Sequence, residues 1–207
     1  MKSAKHILII SMMVFVVACS TPATKEKPPA EIQPVTVETK KEPAVKPVNP
    51  NAARDYNEAL TTMRQEDYQQ ALVLLKRMTE KYPELSGPHT NIGIIHYRAG
   101  RLKEAQQAFN KAVAINPENA AAYNHLAIAQ REDGLFNEAE QSYLKAIEQQ
   151  PDFANAHLNL GILYDIYLLQ LDKALQHYER YQSLQETEDA TVKNWIIGLK
   201  RRLKVSK

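Results

Sequence analysis

Few residues in this chain have the type and spacing that catalytic chemistry requires. The 207 residues include one cysteine, Cys19, and six histidines. The chain has no glycine-rich phosphate loop and no His-Glu-x-x-His motif, so it lacks both of these signals for nucleotide or zinc chemistry. We expect His89, His96 and His157 to pack inside a core, with a metal site as the alternative. The sequence therefore predicts a protein that is not an enzyme and needs no metal or small-molecule cofactor.

The residues before Cys19 are arranged like a secretory signal. Lys2 and Lys5 precede an apolar run that extends from Ile7 to Val17. A charged start, an apolar stretch and small residues at a cleavage point are typical of a signal peptide. The run is about half the ~20 residues that a membrane-spanning helix needs. We therefore predict that residues 1–18 are a signal peptide rather than a membrane span.

The cleavage region, Val16-Val17-Ala18-Cys19, resembles the lipobox of bacterial lipoproteins. The resemblance implies that Cys19 carries a covalent lipid and becomes the new N-terminus. The alternative is an ordinary signal peptide with an incidental cysteine. Residue 20 is serine rather than the aspartate that retains enteric lipoproteins in the inner membrane. The resemblance thus implies an outer-membrane protein, lipid-anchored and facing the periplasm.

The formal net charge of the chain falls from +2 to zero once the signal peptide is removed. The full chain has 26 basic and 24 acidic residues, and removal of Lys2 and Lys5 leaves 24 of each. A balanced net charge gives no electrostatic reason to bind nucleic acid.

Residues 19–51 show no hydrophobic periodicity and are rich in proline: Pro22, Pro28, Pro29, Pro34, Pro43, Pro47 and Pro50. Proline removes backbone donors and disfavours helix before it, so this segment is predicted to be a disordered tether. A plain spacer is the preferred interpretation. The alternative follows from residues 41–47, whose Glu-Pro and Lys-Pro pairs resemble those of envelope-spanning energy-transducing proteins.

Beyond residue 51 the chain repeats itself every 34 residues. Pro83, Pro117 and Pro151 are spaced at this interval. Small residues recur in phase at Ala71, Ala105 and Ala139, and large ones at Leu75, Phe109, Tyr143 and, one residue late, Tyr178. Such a period predicts helix-turn-helix units that bury their apolar faces by stacking. The four units predicted are residues 52–85, 86–119, 120–153 and 154–188.

Two of these units carry a family pattern in full. The second contains Asn91-Ile92-Gly93, Gly100, Ala105, Phe109 and Pro117, and the third contains Leu126-Ala127, Gly134, Ala139, Tyr143 and Pro151. This pattern resembles the tetratricopeptide repeat. The resemblance implies an all-α superhelix of four repeats, in which one face of the first helices lines a concave groove.

The fourth unit and the segment after it depart from the pattern. The turn at residues 167–172 lacks glycine, and one extra residue precedes Ala174. Residues 189–207 have apolar side chains at helical spacing and a basic opposite face, which predicts an amphipathic capping helix. The alternative is a basic helix that touches an anionic membrane or a partner.

The resemblance also implies which residues face the groove. One apolar column consists of Leu60, Ile94, Ile128 and Ile162. Beside it are Tyr56, Met63, Tyr97, Leu158 and Ile166, with Arg64, Arg98 and Arg131 as charged exceptions. An exposed aliphatic and aromatic surface fits an amphipathic helix or an extended apolar peptide. Two alternatives remain, namely that the column packs inside the superhelix or that the tether covers it.

These features together predict a scaffold for protein–protein interaction in the bacterial envelope. Lipoproteins of this build are known to assist secretin and pilus assembly or to act as adaptors for peptidoglycan enzymes, and the resemblance implies such a role. The alternative is an accessory component of a TonB- or Tol-type energised system. The family's clamp for acidic chaperone tails needs lysine and asparagine where this chain has Tyr56 and Leu60, so that ligand is not expected. The sequence does not predict an oligomeric state.

Overall fold

The computed structural model describes residues 49–205, and the predicted signal peptide, Cys19 and residues 20–48 of the predicted tether lie outside the described residues. Residues 49–205 contain nine α-helices and no strand: α1 (Pro50–Arg64), α2 (Tyr68–Lys81), α3 (Ser86–Arg98), α4 (Leu102–Ile115), α5 (Ala120–Glu132), α6 (Phe136–Gln149), α7 (Ala154–Ile162), α8 (Leu171–Ser183) and α9 (Ala190–Val205). None of these helices is long and apolar enough to cross a membrane.

The helices form a chain of hairpins. α1 packs on α2, α3 on α4, α5 on α6 and α7 on α8, and each second helix also contacts the first helix of the next pair. Short connections make such neighbours antiparallel. Further contacts join α3 to α5 and α5 to α7, so the first helices lie side by side along one face. This is the predicted all-α superhelix, and α1 begins at Pro50, two residues before the predicted start of the first unit.

Small and large residues alternate where the two helices of a hairpin meet. A Cβ atom added to Gly161 would lie 2.6 Å from the ring of Tyr178, and one added to Gly93 would collide with the ring of Phe109. Ala105, on the facing helix, is fully buried. Because interiors are close-packed, larger residues at these points would separate the helices. Gly93, Gly161 and Ala105 therefore set the distance between the two helices of their hairpins.

A left-handed residue lies between the two helices of every hairpin. The backbone angle φ is +71° at Gly100 and +79° at Gly134, where glycine suits such a turn, but it is also +63° at Glu66 and +53° at Leu169. A positive φ costs a residue with a Cβ atom free energy that glycine does not lose. The first and fourth turns are therefore strained where the second and third are not.

The extra residue of the fourth unit is absorbed within its first helix. α7 ends at Ile162 and continues as a π turn over Leu163–Tyr167. A π turn accommodates one more residue than an α turn, and it shifts the side chains that follow. Tyr178 consequently returns to the buried large column although it is one residue late in the sequence.

The last helix covers the exposed side of the fourth hairpin. The Asp189 side chain caps it by accepting hydrogen bonds from the backbone N–H groups of Thr191 and Val192, at 2.8 and 3.1 Å. Val192 and Leu199 are buried, and the Trp195 ring lies 5.4 Å from that of Tyr178. The predicted capping helix is confirmed, because α9 buries an apolar face that α8 would otherwise expose.

Candidate protein-binding groove

The predicted apolar column lies on the face shared by α1, α3, α5 and α7, but most of it is not exposed. Ile94, Ile128 and Ile162 retain only 6%, 5% and 8% of their accessible surface, while Leu60 is half-buried. Ile94, for example, packs in one cluster with Phe109 and with residues of α5. The first helices lie close enough to cover these side chains. The expectation of an exposed apolar strip is therefore wrong for the three isoleucines, which form the buried floor of this face.

The accessible part of this face is its rim. Ile166 and its neighbour Tyr167 are 39% and 41% exposed. The remaining predicted groove residues divide into two classes. Arg64 and Arg98 are exposed, and the half-buried ones are Tyr56, Met63, Tyr97 and Leu158.

Hydrogen bonds between polar side chains connect neighbouring first helices. Asn91 donates from Nδ2 to the Tyr56 hydroxyl at 2.5 Å, and Asn159 donates to Asn124 Oδ1 at 3.1 Å. Each of these bonds joins one repeat to the next. Asn57, at the corresponding position of the first repeat, is exposed on α1. Burial raises the pKa of Tyr56 to about 12 although the bond from Asn91 opposes the shift, so Tyr56 stays a neutral partner.

The Arg98 side chain contacts Tyr68 of the first repeat. Its Nη1 donates to the Tyr68 hydroxyl at 3.0 Å, and its Cζ atom lies 5.6 Å from the centre of the Tyr68 ring. The arginine thus bridges α3 and the start of α2 while remaining exposed. An exposed guanidinium over an aromatic face offers both charge and a flat surface to a partner.

Arg131 differs from the other two arginines because it is buried, with 4% of its surface accessible. Its Nη2 forms an ion pair with Glu132 Oε1 at 2.9 Å. The expectation that Arg131 is an exposed charge in the groove is therefore wrong. A buried arginine normally has several hydrogen-bond partners, since an unpaired buried charge is costly.

Aromatic side chains surround the Arg131 guanidinium. The Tyr167 ring centre is 5.9 Å from its Cζ atom, and the Phe136 ring packs on Tyr167 at 4.8 Å. Tyr143 from α6 is fully buried nearby, and its electrostatic interaction with Arg131 is favourable to the arginine's charge. The result is a cationic centre enclosed by rings from α6 and the π turn.

The pKa values of Arg131, Tyr143 and Tyr97 are shifted by burial and by the charges of neighbouring groups. Burial alone would lower the pKa of Arg131, but Tyr143 and Glu132 raise it above its usual value. Burial also raises the pKa of Tyr143 and Tyr97, and Arg131 opposes that shift in both. Arg131 therefore stays charged and both tyrosines stay neutral at any physiological pH.

Sequence reasoning missed several members of this site. The 34-residue column that contains Met63, Tyr97 and Arg131 continues at Asp165. Asp165 is buried and accepts hydrogen bonds from Arg202 Nη1 at 2.9 Å and from the Tyr178 hydroxyl at 3.4 Å. A strict period would have identified it. The period could not identify Tyr167, because that residue belongs to the irregular turn.

The histidines do not assemble with acids into a metal centre. Among residues 49–205 there is no group of three or more His, Cys, Asp or Glu side chains suited to a metal ion. His157 is buried and its Nδ1 lies 3.0 Å from Nδ1 of His177. His96 Nδ1 accepts a hydrogen bond from Arg101 Nε at 3.0 Å. These contacts are consistent with packing roles.

Family models and solved structures match this architecture. Two models described as Tetratricopeptide repeat match the chain, one over residues 56–120 and 90–152 and the other over residues 142–176. No significant match to a curated protein sequence was found.

Three solved structures show the same fold at low identity. A MamA RS-1 double mutant is 19% identical with a TM-score of 0.63, over 74% of this chain and 85% of that one. Pseudomonas aeruginosa pilF is 20% identical with a TM-score of 0.66, over 74% and 69%. YrrB, described as a TPR protein with an unusual peptide-binding site, is 21% identical with a TM-score of 0.57, over 72% and 74%.

Proposed function

Because this chain belongs to the tetratricopeptide repeat family, we propose that it is a protein-interaction scaffold whose first-helix face binds a helix or an extended segment of a partner protein. The observation that carries the proposal is the rim of that face, where the exposed Tyr167 ring lies over a buried cation, Arg131, and its chain neighbour Ile166 is also exposed. Tyrosine and arginine are enriched at protein interfaces and among the residues that contribute most to binding. The description of YrrB as having a peptide-binding site supports this use of the fold.

The proposal includes a membrane anchor. A lipid on Cys19 would hold the repeat array at the outer membrane on the periplasmic side, with the proline-rich segment as spacer. The lipobox-like sequence and Ser20 support this location. One acyl chain binds a membrane marginally, whereas several chains on one residue anchor it firmly. Anchoring raises the effective concentration of the array for partners within reach of that leaflet.

The partner we propose is an envelope protein of the pilus or secretin machinery, or of peptidoglycan synthesis or turnover. The combination of a lipoprotein signal with a repeat array supports this class, and the fold shared with pilF is compatible with it. No nucleic acid is involved, and the protein has no catalytic role of its own. The second candidate, an accessory part of a TonB- or Tol-type system, is favoured by the Glu-Pro and Lys-Pro pairs of residues 41–47.

The test is affinity capture of the full chain after crosslinking in living cells. Ile166→Asp places a charge on the rim and is expected to reduce the yield of the specific partner at least tenfold. Leu144→Asp is the matched control, because Leu144 is 39% exposed like Ile166 but lies on α6, a second helix. It is expected to leave the yield unchanged.

The captured proteins decide between the candidates. Secretin subunits or peptidoglycan enzymes support the first, and ExbB- or TonB-like proteins support the second. Equal capture by both variants, or a cytoplasmic partner, contradicts the proposal.

A further inference from the structure

The Arg131 guanidinium has donors that the protein itself does not use. Only Nη2 has a partner, Glu132, whereas Nε and Nη1 are buried with no hydrogen-bond partner among the described residues. The buried hydroxyl of Tyr143 is also without a partner there. Buried polar groups are nearly always satisfied in folded proteins, and an exception calls for an explanation. Here three unsatisfied atoms belong to one cluster on the proposed binding face.

We infer that Arg131 anchors a pocket for a carboxylate group of the partner peptide. The inference rests on the proposed function, since it names the chemistry of the ligand on that face. A guanidinium and a carboxylate are matched in geometry, because two parallel N–H groups can donate to the two carboxylate oxygens. Nε–H and one N–H of Nη1 are each parallel to an N–H of Nη2, and Glu132 accepts from only one of the two Nη2 hydrogens, so one parallel pair stays available. The Tyr143 hydroxyl is a further donor in the same cluster.

The carboxylates already present leave this requirement unmet. Glu132 pairs with Nη2 alone, and its side chain is 38% exposed. Asp165, one repeat further along the same column, is held by Arg202 of α9 at 2.9 Å and by Tyr178. Helix α9 therefore already pairs with Asp165, the next residue of that column. Nε and Nη1 of Arg131 have no partner among the described residues.

Tyr167 is the side chain that must move for a ligand to reach Arg131. Its ring lies over the guanidinium and is 41% exposed, so it is a cover rather than part of the core. It belongs to the π turn, and two residues later Leu169 has a φ of +53°. An exposed ring on a strained segment can be displaced with little loss of packing. Ile166 beside it provides apolar contact, so the ligand is a carboxylate adjoining an apolar side chain.

The test uses three small probes on the full chain, labelled with ¹⁵N at arginine and dissolved in mild detergent. N-acetyl-leucine has an α-carboxylate, N-acetyl-glutamic acid α-amide has only a side-chain carboxylate, and N-acetyl-leucinamide has neither. We expect the Arg131 Nε–Hε resonance to shift saturably with at least one carboxylate probe and not with N-acetyl-leucinamide. The probe that saturates at lower concentration identifies a C-terminal or a side-chain carboxylate as the source.

Variants test whether probe binding depends on the two parallel N–H donors of the Arg131 guanidinium. Arg131→Lys keeps the charge without two parallel donors, and we expect it to weaken probe binding at least tenfold, measured on the backbone amides of residues 131–133 in uniformly ¹⁵N-labelled protein. Arg77→Lys, on an exposed arginine of the second helix α2, is the control and should bind as the wild type does. If Arg131→Lys unfolds, the wild-type titration alone decides.

Two results would overturn the inference. One is an Arg131 resonance that no probe shifts, which would mean that solvent alone satisfies these donors. The other is an equal shift with N-acetyl-leucinamide. Either result leaves the proposed function intact if crosslinked capture still depends on Ile166. Conversely, a positive titration with no envelope partner captured would refute the proposed function but not the pocket.

Discussion

Nδ1 of His157 lies 3.0 Å from Nδ1 of His177, so one ring must donate a proton and the other must accept it. His157 Nε2 also lies 3.2 Å from the carbonyl oxygen of Pro151, which can only accept. In the neutral ring the proton is therefore on Nε2, and Nδ1 of His157 is the acceptor. His177 then donates from its own Nδ1, and this arrangement requires His157 to be neutral, because a protonated His157 could not accept at Nδ1.

The histidine pair predicts a loss of stability in acid. Burial, then His157 and Lys173, lower the pKa of His177 to about 4, and burial also lowers that of His157. A histidine in the unfolded chain titrates near ~6.5. The stabilisation is thus complete above about pH 6.5 and is lost as pH falls toward ~4, by roughly 2–3 kcal/mol for His177.

Chemical denaturation at pH 7 and pH 4.5 measures this effect. His177→Asn keeps an N–H donor near His157 but does not titrate, so the difference between the two pH values should be smaller than in the wild type. An identical difference in the two proteins would show that other groups control the acid response.

Ile94→Asp is predicted to unfold the second and third repeats or to destabilise them by more than ~3 kcal/mol. The carboxylate would replace a buried side chain packed against Phe109 and would have no partner. Ile166→Asp, on the exposed rim, should cost less than about 1 kcal/mol. Thermal unfolding followed by circular dichroism compares the two, and similar melting temperatures would contradict the buried floor.

Ala105→Leu is predicted to destabilise the protein by roughly 1–3 kcal/mol through overpacking. Ala105 is fully buried in the cluster that contains Ile94 and Phe109. Ala114→Leu is the control, since Ala114 is exposed on the same helix and its replacement should change stability little. Urea denaturation gives both values. The packing assignment fails if the two substitutions have the same effect.

Leu169→Gly is predicted to stabilise the fourth repeat by about 0.5–1 kcal/mol. Glycine relieves the left-handed strain, and the loss is small because Leu169 is 67% exposed. The reverse change, Gly100→Leu, should destabilise the second repeat by about 1–2 kcal/mol. Unfolding free energies of the two variants should therefore move in opposite directions, and movement in the same direction would refute the strain argument.

Cys19→Ser is predicted to abolish lipidation, so that the chain either stays as an uncleaved precursor or is released by another peptidase. Metabolic labelling with a radioactive fatty acid tests the modification. Membrane fractionation tests the location, because the wild-type protein should remain with the outer membrane through a salt wash. Ser20→Ala is the control and should be labelled as the wild type is. A soluble wild-type protein would contradict the anchor.

The repeat architecture could be predicted because its determinants are local. Proline ends a helix, and a small residue opposite a large one sets the distance between two helices. The roles of Pro117, Ala105 and Phe109 can therefore be predicted from their residue types and spacing. The exposure of Ile94 could not be predicted in this way. It depends on how closely neighbouring first helices approach, and no single residue encodes that distance.

The candidate site was predictable only where the 34-residue period holds. Tyr97, Arg98 and Arg131 follow the period, so the sequence could single them out. Tyr167 follows the inserted residue, and its contact with Arg131 depends on the π turn. Glu66 and Leu169 adopt left-handed angles without being glycine, so their residue types did not reveal the strain.

The ion pair between Arg202 and Asp165 makes the two ends of the repeat array different. It links residues 37 positions apart and brings the last helix to the position that a further repeat would contact. The face lined by first helices is consequently obstructed beyond α7, whereas no described helix precedes α1. A long ligand that engages Arg131 must then leave along α3 and α1, so its two ends are not interchangeable.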